Sequence, residues 1–179
     1  SNQPREPRQL ALTLALAAHA LVLGGLAPDL ARAEAMAERA LTSGRAAEAF
    51  ARMVAGLGGP RDVLAGGGAG LAAAPVQRDL PAPRDGCLQA SNTRALGVAV
   101  LALGGGRQRA NDSIDPRVGF SHILPLGQWV REGEPLLRIH AATVDAADAA
   151  AATAVAALHL GEEPPPPRLL IQQVIEASS

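Results

Sequence analysis

The chain has 179 residues, a formal net charge of −1 and a hydrophobic content of 48%, to which aromatic residues contribute only 2% of the chain. That length holds one ordinary domain, or one domain with part of another, around a core of Ala, Leu, Val and Ile. The balanced charge supplies no basic surface for nucleic acid; the single cysteine, Cys87, excludes an internal disulfide framework and fits a reducing cytoplasm. All 16 basic residues are arginine. A phosphate-loop lysine, a Schiff-base lysine and a lysine-linked lipoyl or biotinyl group are therefore excluded from this chain.

Residues 1–3, Ser-Asn-Gln, read as a vector-derived leader, with the natural sequence resuming near Pro4. From Leu10 to Ala27 the chain reads LALTLALAAHALVLGGLA, flanked by arginines and an Ala-Arg-Ala step, which imitates a secretory signal and brushes the length of a membrane helix. His19 inside the run, and Gly24-Gly25 followed by Pro28, favour instead a core helix buried on most faces that ends at Leu23. His19 is then a helix residue and not a ligand. Asp29 is placed to cap a second helix over about 30–42, ended by Ser43-Gly44. A third runs over about 45–57, with Phe50, Met53, Val54 and Leu57 on one face as core. Residues 4–60 are thus a helical segment with apolar faces that call for cover.

Residues 61–74 contain AGGGAGLAAA and read as a linker. Gly66 and Gly68 begin a Gly-x-Gly-x-x-Gly match, but Leu71 occupies the third glycine position and no strand precedes it, so a dinucleotide loop is rejected. From residue 75 the pattern changes to short strands, APVQRDLPAP and GCLQA, followed by a helix over about 93–103 capped by Ser91 or Asn92. GFSHIL, QWVREG and PLLRIHA, separated by Gly127 and by Gly133-Glu134-Pro135, predict hairpins. An alanine-rich helix over about 144–159 carries Asp145 and Asp148 in its first turn. EEPPPP is a rigid spacer, and RLLIQQVI closes as a strand. Residues 75–179 are therefore read as an α+β domain.

Chemistry-bearing residues are sparse. His19, His122, His140, His159 and Cys87 lack the spacing of metal ligands, and no Gly-x-Ser-x-Gly elbow presents a serine. No metal or cofactor is expected. Asp112 and Asp115, three apart in a loop, suit turn capping or arginine pairing better than acid–base work. The run Gly104-Gly105-Gly106-Arg107 follows a helix instead of preceding one, so it meets orphan carbonyls where an anion needs free N–H groups. Gly104 is expected as a left-handed helix cap and Arg107 as the partner of Asp112 or Asp115. Trp129, without aromatic neighbours, is expected as a packing residue.

The stretch ALGVAVLALGGGRQRANDSIDPRVGFSHILPLGQWVREGEPLLRIHA closely resembles the C-terminal domain of the thymidine and pyrimidine-nucleoside phosphorylase family. Gly104, Gly105, Gly106, Arg107, Asp112, Asp115, Gly119 and Gly133 carry the resemblance, with Ile139-His140-Ala141 at its end. The upstream apolar run is similar to a helix near the end of that family's α/β domain. The resemblance implies an α/β-hammerhead-like domain over 75–179, preceded by helices from the α/β domain. It implies a parent enzyme, a homodimer through a further N-terminal domain, that converts thymidine and phosphate to thymine and 2-deoxyribose 1-phosphate. The family's phosphate and pyrimidine sites use lysines, so no catalytic or substrate-binding residue is carried over to this lysine-free chain. Alternatives are a broader pyrimidine-nucleoside or nucleotide phosphorylase, and a lipoyl-domain-like interaction module, which LGQWVREGEPLLRIHA is also similar to.

Overall fold

A computed structural model describes residues 6–66, 72–167 and 169–175. The chain divides into two compact units, Ser1–Gly70 with Arg168–Ser179, and Leu71–Pro167. The leader expected at residues 1–3 and most of the Gly66–Leu71 motif lie outside the described residues.

In the first unit, helix α1 (Pro7–Leu23) stops where the glycine pair predicts: Gly25 takes a left-handed φ of 70°, and the Gly25 and Leu26 amides donate back to the carbonyls of Val22 and Leu21. Asp29 caps α2 (Leu30–Thr42) by accepting the Arg32 amide at 2.8 Å. Helices α3 (Arg45–Gly56) and the single turn α4 (Val63–Gly66) follow. The buried centre is small, made of Ala18, Ala27 and Ala33. Two expectations fail here. Helix α1 buries only Ala18, and Phe50, Met53 and Leu57 on α3 are exposed, Leu57 at 82%. The pattern is apolar, but among the described residues α1 packs chiefly on α2, with residues 170–175 lining a hollow beside it, and α3 chiefly on α2 and α4. The predicted strand over 168–175 is also absent among its described residues. The unit it joins is otherwise helical and offers no strand edge to pair with; Leu170 and Ile171 instead line a hollow with Leu12, Leu16 and His19. No described helix is long and apolar enough to cross a membrane.

The second unit is α+β. Strands β1 (Val76–Pro81), β2 (Gly86–Ser91), β3 (Gly119–Ser121), β4 (Trp129–Val130), β5 (Pro135–Ala141) and β6 (Leu158–Gly161) form two antiparallel three-stranded sheets, in the orders β1-β5-β3 and β4-β2-β6. Helix α5 (Thr93–Ala102) is capped by Asn92, which accepts the Ala95 amide at 3.0 Å, and α6 (Val144–Ala157) by Thr143. The hairpins predicted between residues 119 and 141 do not form. β3 and β4 lie in different sheets, so the turns at Gly127 and Gly133 carry the chain between sheets. Helix α6 ends two residues early, because Leu158 and His159 join β6 and pair with β2.

β5 is the central strand of its sheet. Alternation sends Leu137, Ile139 and Ala141 into the core, each 0% exposed, and leaves Arg138 and His140 on the opposite face. Ala147, Ala150, Ala154 and Ala157 form the buried stripe of α6, whose small side chains let it lie close against α5 and β5. Trp129 is exposed, contrary to expectation: the two-residue edge strand turns Val130 inward, and the residue before it must face out.

Two outcomes follow from this packing. Replacing Leu137 with Ala removes a fully buried side chain from the central strand and costs about 2–5 kcal/mol, measurable by urea unfolding followed through Trp129, the only tryptophan. The exposed Leu16, Leu23, Leu26 and Leu57 of the helical unit are expected to drive self-association. Light scattering is expected to give a mass that rises above 18.2 kDa with concentration; a constant monomer mass contradicts this.

Candidate functional site

The glycine–arginine loop after α5 is built as a helix stop. Leu103 is the C-cap of α5, Gly104 takes φ 94°, and the amides of Gly104 and Gly105 donate to the carbonyls of Leu101 and Val100 at 3.0 and 2.9 Å. This is the paired-bond left-handed cap that only glycine enters at little cost. At Gly105 a β-carbon would stand 2.7 Å from the Val100 Cγ1, so the close approach of loop to helix also needs glycine.

The two acids lock the rest of the loop. Asp112 Oδ2 accepts the amides of Gln108 and Arg109 at 3.1 and 2.8 Å. The Asp115 amide donates to the Gly104 carbonyl at 2.9 Å and closes the loop on the cap. The Asp115 carboxylate receives Arg117 in a fork, Nε to Oδ1 and Nη2 to Oδ2, both at 2.8 Å, along with the Arg117 amide. These bonds hold the Asp115 carboxyl at a pKa of about 2, with the Arg117 side-chain hydrogen bonds the largest cause. The expected pairing of Arg107 is thus corrected. Its acids are already taken, by Arg117 and by backbone amides, and Arg107 is exposed without an ion pair among the described residues. Gly119 starts β3 at φ 147° and Gly133 turns at φ 83° before β5. Of the eight residues that carry the resemblance, Gly104, Gly105, Gly106, Asp112, Asp115 and Gly133 lie in turns and loop closures, Gly119 starts β3, and Arg107 faces solvent.

A second cluster sits on the open face of the β1-β5-β3 sheet. The register sets Asp79 beside Arg138 and Ser121 on its other side, with Gly119 opposite His140. Arg138 grips Asp79 through Nε–Oδ1 at 2.6 Å and Nη2–Oδ2 at 3.0 Å, which lowers the Asp79 pKa and raises that of Arg138. The Ser121 hydroxyl stands 2.7 Å from His140 Nε2 and 2.9 Å from His122 Nδ1. His122 has a left-handed φ of 51°, the one described non-glycine residue with positive φ. Two histidines 18 positions apart have no ligand spacing in the sequence; the pairing of β3 with β5 brings them together. Among the described residues no three His, Cys, Asp or Glu side chains converge, and Cys87 is buried as a free thiol.

Comparison with known proteins places these observations. The family model for the pyrimidine nucleoside phosphorylase C-terminal domain matches residues 87–161, from β2 to the end of β6. The chain is also 48% identical over 178 residues to a thymidine phosphorylase of Burkholderia cenocepacia, covering 97% of this chain and 40% of that protein. It is 46% identical to a thymidine phosphorylase of Rhizobium meliloti over 93% of this chain and 38% of the relative. With a thymidine phosphorylase of Agrobacterium fabrum the identity is 48% over 78% of this chain and 32% of the relative. The chain thus spans about two fifths of the length of these curated relatives. The glycine–arginine loop falls inside the matched domain as an element of its architecture.

The loop predicts a pH response. A carboxylate whose folded pKa is depressed contributes stability that is fully present above its unfolded value and is lost as pH falls through the folded one. In an NMR titration Asp115 is expected to titrate near 2, and Arg117→Gln to return it toward the ordinary carboxylate range. The same substitution flattens the part of the acid-induced stability loss that lies between about pH 4 and pH 2.

Proposed function

We propose that this chain is the C-terminal part of a thymidine phosphorylase, and that the parent enzyme converts thymidine and phosphate to thymine and 2-deoxyribose 1-phosphate in pyrimidine nucleoside catabolism. The observation that carries the reading is the 48% identity to a thymidine phosphorylase over 97% of this chain. In such a reaction phosphate attacks the anomeric carbon as the base departs through an oxocarbenium-like transition state. The enzyme's work is to hold two anions and a sugar in line and to place cationic groups on the charge that develops.

We read none of the described residues as arranged for that work. The acids that a loop would need for acid–base chemistry are consumed in structure, Asp112 by two amides and Asp115 by Arg117. The chain contains no lysine, whereas the resemblance implies lysine and serine in the phosphate site and a second lysine at the pyrimidine. We therefore read the catalytic groups as residing in the part of the relatives that this chain does not span. We read residues 4–60 as helices from the end of the α/β domain, residues 61–74 as a linker, and residues 75–179 as the hammerhead-like domain. The parent enzyme is read as a cytoplasmic homodimer associating through its N-terminal helices.

The test is a phosphorolysis assay following thymine release. The full-length protein is expected to cleave thymidine with phosphate, and the 179-residue chain alone to give no turnover. Turnover by the chain alone overturns the assignment of catalysis elsewhere; a full-length protein that leaves thymidine intact but cleaves uridine overturns the substrate.

A further inference from the structure

The Ser121–His122–His140 cluster plays no part in the proposed reaction, and its geometry has a chemistry of its own. We propose that His122 and His140 form a two-nitrogen binding site for a late first-row divalent cation, copper(II) before zinc(II), centred near the position of the Ser121 hydroxyl.

The convergence is the main argument. His122 Nδ1 and His140 Nε2 point at one atom, Ser121 Oγ, from 2.9 and 2.7 Å. The hydroxyl has one proton and satisfies only one neutral ring as donor, so the other ring must present its own N–H. A cation replaces that asymmetric arrangement with one in which both rings offer a lone pair to the same centre. With His122 protonated on Nε2 and His140 on Nδ1, both lone pairs face the same point. Metal–imidazole bonds are about 2.0–2.1 Å long, so each ring closes in by less than about 1 Å while the Ser121 side chain turns away about one torsion.

The backbone holds this pair in place. His140 lies on the central strand β5, half-buried, with a glycine opposite it at position 119 that leaves room beside the ring. His122 is exposed, and its left-handed backbone follows directly after β3. Asp79 and Arg138 on this face neutralise one another through their fork, which removes the Arg138 charge as a repulsion to a metal. Two neutral nitrogens without a third protein ligand leave the remaining coordination positions to water. Such a set ranks divalent ions in the order that ends at copper, with zinc behind it.

Copper(II) titrated into the 179-residue chain is expected to fill one site, with an electron paramagnetic resonance spectrum showing coupling to two nitrogens. His122→Gln and His140→Gln each weaken binding about tenfold or more, and the double variant abolishes the two-nitrogen signal. His19→Gln and His159→Gln leave it unchanged. Ser121→Ala retains binding, because the hydroxyl is displaced and is not a ligand. His122→Gln alters an exposed position, so it reports on the site even if His140→Gln disturbs the central strand; Trp129 fluorescence monitors folding of both. A two-nitrogen signal that survives in the double variant overturns the proposal, as does wild-type binding no tighter than that of the double variant.

Discussion

The period-two alternation of one strand organises the second unit. β5 is hydrogen-bonded on both sides, so its two faces cannot exchange roles without shifting β1 and β3 with it. Leu137, Ile139 and Ala141 anchor the core against α6, and the same backbone registers Arg138 and His140 with Asp79, Ser121 and Gly119. Core and surface cluster are thus two consequences of one pairing. The alanine stripe of α6 depends on it as well, since a helix of small residues gains burial only against a surface that is already flat and filled.

The glycine–arginine loop shows how a motif that looks like a ligand site is used as architecture. A helix C-terminus leaves carbonyls without donors, and the Gly104 and Gly105 amides supply two of the missing bonds. The loop then returns through Asp112 and Asp115, each of which spends its carboxylate on nearby donors. Such a loop tolerates little substitution for reasons of backbone conformation and close approach.

The helical unit presents the converse case. Its helices start and stop where capping residues predict, yet its apolar side chains at Leu23, Leu26 and Leu57 remain exposed. Apolar pattern records which surface is suited to burial, and local capping records where a helix begins and ends. The two are independent.

Helix boundaries, the left-handed stop at Gly104, the structural use of Asp112 and Asp115, and the absence of lysine chemistry were legible in the sequence, because each depends on residues a few positions apart. The domain family was legible for a similar reason, through a compact run of glycines and acids. Strand partnership was not: β3 and β4 look like neighbours in a hairpin, and only long-range pairing sends one to β5 and the other to β2. The same holds for Trp129 turning outward and for two distant histidines meeting over one serine. Short-range geometry follows from the chain's own dihedral preferences, whereas these outcomes depend on which surfaces compete for burial, and that competition is resolved only when the whole unit folds.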